Sequence, residues 1–362
     1  MTSRPAERHV VITGGAGFVG ANLAIALTQM HPDWKITAFD NLYRRGSELN
    51  LPRLEAAAVQ FVKGDVRELD HLRGLPPIDA LVECSAEPSA LTGVDGQTSY
   101  AFDTNLVGAY NCLELARRDS AQMLFLSTSR VYPVASLAAL ELDEAATRFA
   151  IAAGQQIAGA SPAGIAEDFP LEGARTLYGT TKLAAELLIT EYAEMFGLQT
   201  VINRCGVIAG PWQMGKVDQG VFTYWLMAHH FDMPLSYIGF DGSGRQVRDL
   251  LHIDDLIELV NDQLERPDPW NGVIANVGGG VDVSLSLIET TGLCRELTGK
   301  ELEITRANED RPGDVAIYIS DCTKLSSITD WRPQRDARNI LSDINDWIKA
   351  NKAMIRATLI DS

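Results

Sequence analysis

Short apolar runs alternate along the chain with longer stretches in which apolar residues return every three or four positions. The short runs are His9 to Thr13, Lys35 to Asp40, Val59 to Val62, Ala80 to Cys84, Gln122 to Ser127 and Gln199 to Asn203, and each is predicted as a buried strand. Phe18 to Met30, Thr104 to Arg118 and Tyr178 to Phe196 carry the helical spacing. Parallel strands need crossover connections, which helices supply, so this alternation predicts an α/β fold with a doubly wound parallel sheet covered on both faces.

Two stretches break the rhythm. The alanine-rich run between Tyr132 and Tyr178, with AIAAGQQIAGASPAGIAEDFP inside it, is either a surface excursion or part of a ligand pocket. The 136–175 insertion is too long for a simple connection. After Pro211 the elements shorten and Pro234, Gly239, Gly242 and Gly244 punctuate them. The expected organisation is a main domain over 1–210, with 247–278 returning to it, and a smaller interleaved α/β substrate subdomain over 211–246 and 279–362.

A net charge of −17 and a pI near 4.8 argue against nucleic acid and anionic membranes as partners. An anionic small molecule would need a local cluster of arginines. Cys84, Cys112, Cys205, Cys294 and Cys322 are scattered, without a CxxC pair or a metal-ligand spacing, so reduced thiols and no metal site are expected. No apolar run approaches the roughly eighteen residues of a membrane span, and the start of the chain lacks a signal-peptide pattern. The expectation is a cytoplasmic protein.

VVITGGAGFVG places Gly14, Gly17 and Gly20 between a strand and a helix, with Phe18 and Val19 inside the turn. Glycines there let the backbone approach a pyrophosphate, and the helix N-terminus offers unpaired N–H groups. Asp40 closes the second strand twenty residues after Gly20, the spacing of a Rossmann-type dinucleotide site. Asp40, with Asn41 beside it, would accept hydrogen bonds from the adenosine ribose and repel a 2′-phosphate, which favours NAD. Arg44 and Arg45 could instead pair with such a phosphate. Asp65, followed by Val66, either receives the adenine amino group or stabilises its own turn.

Tyr178 and Lys182 form YxxxK, which puts both on one helix face. An ammonium near a phenol lowers its pKa from about 10 and makes it a usable acid/base. The fifth strand ends in LSTSRVYP, where Thr128 or its neighbours would point into the ligand crevice.

On these residues the chain resembles the extended short-chain dehydrogenase/reductase family of nucleotide-sugar epimerases and dehydratases, over nearly its whole length. The resemblance implies Thr128, four residues before Tyr132, as the catalytic hydroxyl, with Tyr178 and Lys182 completing the set. It implies that Asn105 bonds main-chain groups of the strand bearing that hydroxyl. In RQVRDLLHIDDL and EDRPGD it implies that Arg248 and Arg311 grip a substrate diphosphate, although Arg248 could instead pair with Asp249 or Asp254. His252 would simply pack. The expected activity is NAD-dependent epimerisation of a nucleotide-diphosphate sugar by transient oxidation, in a homodimer or homotetramer joined through the Thr104–Arg118 and Tyr178–Phe196 helices. FDNLYRRGSELNL, KVDQGVF, NVGGGVDVSLSLIE and ITDWRP are similar to a narrower branch, the 2-epimerases of CDP-linked sugars. A nucleotide-sugar lyase (uronate decarboxylase or 4,6-dehydratase) and a non-catalytic NAD(H)-binding regulator are the alternatives. Four positions depart from the family pattern. Glu83 and Glu87 replace a histidine and a glutamine, Pro133 a glycine, and Val207 an asparagine.

Overall fold

The computed structural model describes residues 8–89, 91, 93, 96–215, 220–307 and 313–360. Its centre is a seven-stranded sheet of β1 (His9–Thr13), β2 (Lys35–Asp40), β3 (Gln60–Lys63), β4 (Ala80–Glu83), β5 (Gln122–Thr128), β6 (Thr200–Cys205) and β7 (Val273–Val277). The spatial order is β7-β6-β5-β4-β1-β2-β3, and every pair is parallel. The order reverses between β1 and β4, which opens a crevice at their C-terminal ends.

Alternation along each strand divides the core into two layers. Val10 and Ile12 pack with α1 (Phe18–Met30) on one face. Val11 packs with α2 (Gly108–Asp119) and α3 (Leu177–Phe196) on the other. Because both faces are covered, the inner strands are near-continuous apolar runs, while the edge strand β3 is only partly buried. The segment before α2 begins at Ser99, earlier than the spacing suggests, and contains a wide π-type turn over Asp103–Val107 that buries Thr104 and Asn105.

The late elements interleave. The strand Val247–His252 pairs with Val207–Ala209, Ser284–Ser286 and Ile317–Tyr318 in a second sheet. The helix that follows it, α5 (Ile253–Glu265), returns to the α1 face of the main sheet. A separate core gathers α4 (Val221–Phe231), α6 (Leu287–Thr298) and α7 (Ala337–Ala350). The long excursion after Tyr132 folds into two small hairpins, Leu142–Glu144 with Phe149–Ile151 and Ala160–Ser161 with Gly164–Ile165. Ile151, Ile165 and Phe169 bury themselves against Ile317 and Tyr318. None of the described residues from 131 to 177 lines the main cavity.

Asp249 sits where these layers cross and is fully buried. Its Oδ2 accepts hydrogen bonds from the Ser320 amide at 3.2 Å and the Gly280 amide at 3.3 Å. Burial pushes this carboxyl up to about 6, against those hydrogen bonds. A carboxyl raised on folding binds its proton more tightly in the native state. Its contribution of about 3 kcal/mol is complete below the unfolded value near 4 and is lost as pH rises through about 6. Asp249→Asn should therefore flatten the fall in urea-unfolding stability between pH 4 and pH 8. Parallel pH–stability curves for the two proteins would contradict this account.

Among the described residues no helix is long and apolar enough to cross a membrane. No group of three or more His, Cys, Asp or Glu side chains could hold a metal ion there, and all five cysteines are free thiols.

Candidate active site

One cavity of about 490 Å³ runs from the glycine loop, across the C-terminal ends of β1, β4 and β5, to the second sheet. At the first end Gly14 takes φ +60°, and a Cβ on Gly20 would lie 2.2 Å from the Gly14 carbonyl oxygen. Only glycines allow that turn to close. Ala16 is clamped from two sides, its amide donating to Asp40 Oδ2 at 3.1 Å and its carbonyl accepting from Asn50 Nδ2 at 2.8 Å. The N-terminus of α1 has no side-chain cap and no acidic residue in its first turn, so its amides remain available to an anion. Gly14, Gly17, Phe18, Val19, Gly20, Asp40, Asn41 and Val66 all line this end, as do Arg44 and Arg45. A cradle that a Cβ would fill, an uncapped helix and a carboxylate beyond them fit a dinucleotide.

Asp40 accepts a second hydrogen bond from the Leu42 amide at 2.7 Å. Burial raises its pKa while those amides oppose the rise. Each carboxylate oxygen keeps a further lone pair for a ribose hydroxyl. Asp65 is differently engaged: Arg67 grips it with two nitrogens, at 2.7 and 3.0 Å, and Asn41 Nδ2 donates to it at 2.9 Å. Partial burial raises this carboxyl, but the hydrogen bonds prevail and hold it at about 2. Gly64 and Val66, on either side of it, face the cavity.

The chemistry-bearing side chains meet at the middle of the cavity. Thr128 ends β5 and Tyr178 opens α3, whose N-cap Thr176 accepts from the Gly179 amide. Both line the cavity, and the Thr128 hydroxyl lowers the pKa of the Tyr178 phenol. Its neighbour Ser127 is instead committed to Glu186, while Ser129 lines the cavity as well. On α3, Tyr178, Lys182 and Glu186 follow at intervals of four and share one face. Glu186 is tied to Arg204 of β6, with Nη2 to Oε2 at 2.8 Å. Lys182 lies behind the phenol, with Nζ 3.3 Å from Glu83 Oε2 and 3.8 Å from the Phe125 ring centroid. The two charged side chains are 1% and 2% exposed.

Lys182 does pull the phenol down, as expected, but burial outweighs it. Burial pushes Tyr178 above its ordinary value, with Lys182 and the Thr128 hydrogen bond pulling the other way. The Glu83 carboxylate paired with that ammonium raises the phenol further. Burial likewise raises Glu83 itself, against the pull of Lys182.

Asn105 is also placed differently from the expectation. Its Oδ1 accepts from the Glu87 amide at 2.8 Å, and its Nδ2 donates to the Glu87 carbonyl and to Thr181 Oγ1, each at 3.1 Å. It therefore ties the loop after β4 to α3, not to the strand bearing Thr128. The π-type turn carries its side chain inward. His252 caps α5, its Nδ1 accepting from the Asp254 amide at 3.0 Å.

At the far end Arg248 lines the cavity and meets Asp314, with Nη2 to Oδ1 at 2.7 Å. Neither Asp249 nor Asp254 is its partner. Asp314 is the last residue of the EDRPGD stretch. Arg311 of the same stretch lies outside the described residues. Val207 lines the cavity as well. Glu83 was visible in the sequence only as a departure. Its role needed the level at which β4 ends against the second turn of α3. Arg130, also lining the cavity, carried no positive signal in the sequence.

The sequence and the fold have counterparts among known proteins. The chain is 29% identical to CDP-paratose 2-epimerase of Salmonella typhi, over 93% of this chain and 98% of that protein. It is 27% identical to a dTDP-glucose 4,6-dehydratase of Mycobacterium tuberculosis, over 96% and 95% of the two chains. The fold matches that of UDP-glucuronic acid 4-epimerase from Bacillus cereus, solved with UDP-glucuronic acid and NAD. The TM-score is 0.77 at 23% identity, covering 94% of this chain and 99% of that one. The model of the NAD dependent epimerase/dehydratase family matches residues 10–278. That span holds the glycine loop, the Thr128–Tyr178–Lys182 cluster and Arg248 together, and the chain belongs to this NAD-dependent family of nucleotide-sugar enzymes.

Proposed function

We propose that the enzyme is an epimerase, inverting one ring carbon of a nucleotide-linked sugar through a transient keto sugar. The observation that carries this reading is the state of the carboxylates around Tyr178. Glu83 is taken up by Lys182 and Asp314 by Arg248, and Arg130 follows Thr128-Ser129 where a dehydratase would place an acid/base pair. Elimination of water needs such a pair in addition to the phenol. Inversion by oxidation and re-reduction needs proton transfer at one hydroxyl only.

In this mechanism Tyr178, as phenolate, takes the proton of the ring hydroxyl while Thr128 holds that oxygen. Lys182 steadies the negative charge on the phenolate. NAD, when bound, supplies the acceptor and then the donor of the hydride, held by the glycine loop and Asp40. Arg248 anchors the diphosphate while the keto sugar presents its opposite face, and Tyr178 returns the proton to the same oxygen. A positioned acid/base of this kind is worth roughly 10² to 10⁴ in rate.

The similarity to CDP-paratose 2-epimerase makes inversion at C2 the first chemistry to examine, across CDP-, UDP-, dTDP- and GDP-sugars. The expected product has the mass of the substrate and retains deuterium placed on the inverted carbon, and NADH does not accumulate. A product lighter by water or carbon dioxide would move the enzyme to the lyases.

We also propose a homodimer or homotetramer assembled through α2 and α3. Phe102, Tyr110, Leu187, Met195 and Phe196 are exposed on this side, Leu187 to 67%. Large apolar side chains gathered on one helical layer favour burial against a second copy. Light scattering at micromolar concentration should give at least a dimer, which Leu187→Arg with Met195→Arg converts to a monomer. A wild-type monomer would sink the proposal.

A further inference from the structure

Arg130 is the cation that the mechanism leaves without work. It lies two residues after Thr128, whose Oγ1 accepts from the Arg130 amide at 3.2 Å. Its backbone is locked against α3 just after Tyr178, since a Cβ on Gly179 would stand 2.0 Å from the Arg130 carbonyl oxygen. The backbone is thereby held beside Thr128 and Tyr178, and the side chain, which lines the cavity with them, runs from there toward Arg248.

Its partners do not match its charge. Nη1 donates to the Gly313 carbonyl at 2.8 Å, and no carboxylate lies within ion-pair distance of it among the described residues. Asp314, the acid whose field it feels, gives its Oδ1 to Arg248. Among the described residues two guanidiniums thus face this part of the cavity against one carboxylate, in a protein of net charge −17. Burial and the neighbouring Arg248 lower the Arg130 pKa to about 10, which leaves it charged at neutral pH.

A sugar filling this space would close the guanidinium off from water. With a neutral sugar the cation would be enclosed with one carbonyl partner among the described residues, at a desolvation cost and with N–H donors left over. A carboxylate on the sugar would meet the guanidinium fork with charge-assisted bonds.

We infer that the substrate is a nucleoside-diphosphate sugar bearing a carboxylate, a uronate, and that Arg130 recognises that group while Arg248 takes the diphosphate. This rests on the nucleotide-sugar reading of the cavity and deepens it. It does not require that the reaction be an epimerisation.

The test compares the glucuronate and glucose forms of CDP-, UDP- and dTDP-sugars, and the free nucleoside diphosphates, binding to NAD-loaded protein by calorimetry. In the base series that binds most tightly, the uronate should bind at least about tenfold better than the neutral sugar, as expected for a recovered charge-assisted pair. Arg130→Met should bring that ratio near one and leave the free diphosphate within about twofold. Arg130→Lys should keep part of the preference. Retained NAD binding shows that each variant is folded. Equal or tighter binding of the neutral sugar would overturn the inference, and so would an Arg130→Met variant that loses the free diphosphate as strongly as the uronate. Product analysis separates the two readings. Inversion of a neutral sugar in preference to its uronate leaves the epimerase and removes the role of Arg130. Loss of carbon dioxide from a preferred uronate removes the epimerase and leaves Arg130 in place.

Discussion

Tyr178→Phe should lower turnover by at least about 10²-fold while leaving NAD affinity and thermal stability close to wild type. The substitution deletes one hydroxyl and keeps the ring that fills the start of α3. The lost oxygen is the one that Thr128 addresses and that Lys182 and Glu83 influence, so the whole proton-transfer arrangement loses its centre. Thr128→Val should cost less, because it removes a hydrogen bond to the phenol and to the substrate oxygen but leaves the acid/base in place. Steady-state rates on the accepted nucleotide sugar, with fluorescence titration of NAD, measure both. Full activity in Tyr178→Phe would remove the phenol from the mechanism and open the search for another base.

Glu83→Ala carries the largest expected cost in stability. It strands Lys182, 1% exposed, with the Phe125 ring as the nearest compensation. Removing one partner of a buried ion pair typically costs about 3–5 kcal/mol, because the remaining charge stays desolvated. The same change in a Lys182→Met background should cost much less, since no charge is then left behind. Denaturant unfolding of the four proteins of this cycle measures the coupling directly. The subtler variant Glu83→Gln keeps the side-chain shape and removes the negative charge. The carboxylate raises the Tyr178 pKa and the ammonium lowers it. Without the carboxylate the phenol should ionise at lower pH, and the acid limb of the kcat/KM profile should move down. An unmoved limb, or one displaced upward, would show that Glu83 does not act on the phenol.

The alternation of short apolar runs with helical spacing determined the architecture by itself. β1, β2 and α1 occupy His9–Thr13, Lys35–Asp40 and Phe18–Met30, as the pattern of the residues predicts. Strands covered on both faces must be apolar throughout and a helix facing a sheet must be apolar at its own period, so burial writes itself into local sequence. The glycine loop was equally legible, because a tight strand-to-helix turn leaves no room for a Cβ at Gly20. The same was true of Tyr178 and Lys182, which a helix brings to one face at a spacing of four.

Partnerships between distant elements were not legible. Glu83 and Lys182 are 99 residues apart in the chain, and Arg248 meets Asp314 across 66. Nothing local distinguishes an arginine that pairs with a neighbouring aspartate from one that reaches another loop. The wide turn at Asp103–Val107, which aims Asn105 at Glu87 and Thr181, was hidden for the same reason. One extra residue in a helical turn does not change the apolar period enough to be seen. The surface excursion after Tyr132 became two hairpins only because Ile317 and Tyr318 offer an apolar surface to Ile151, Ile165 and Phe169. Secondary structure and the cofactor loop depend on near neighbours and can be read along the chain. The ionisation of the phenol depends first on its burial, and the partners left to Arg130 depend on which carboxylates other cations have taken; only the folded arrangement decides both.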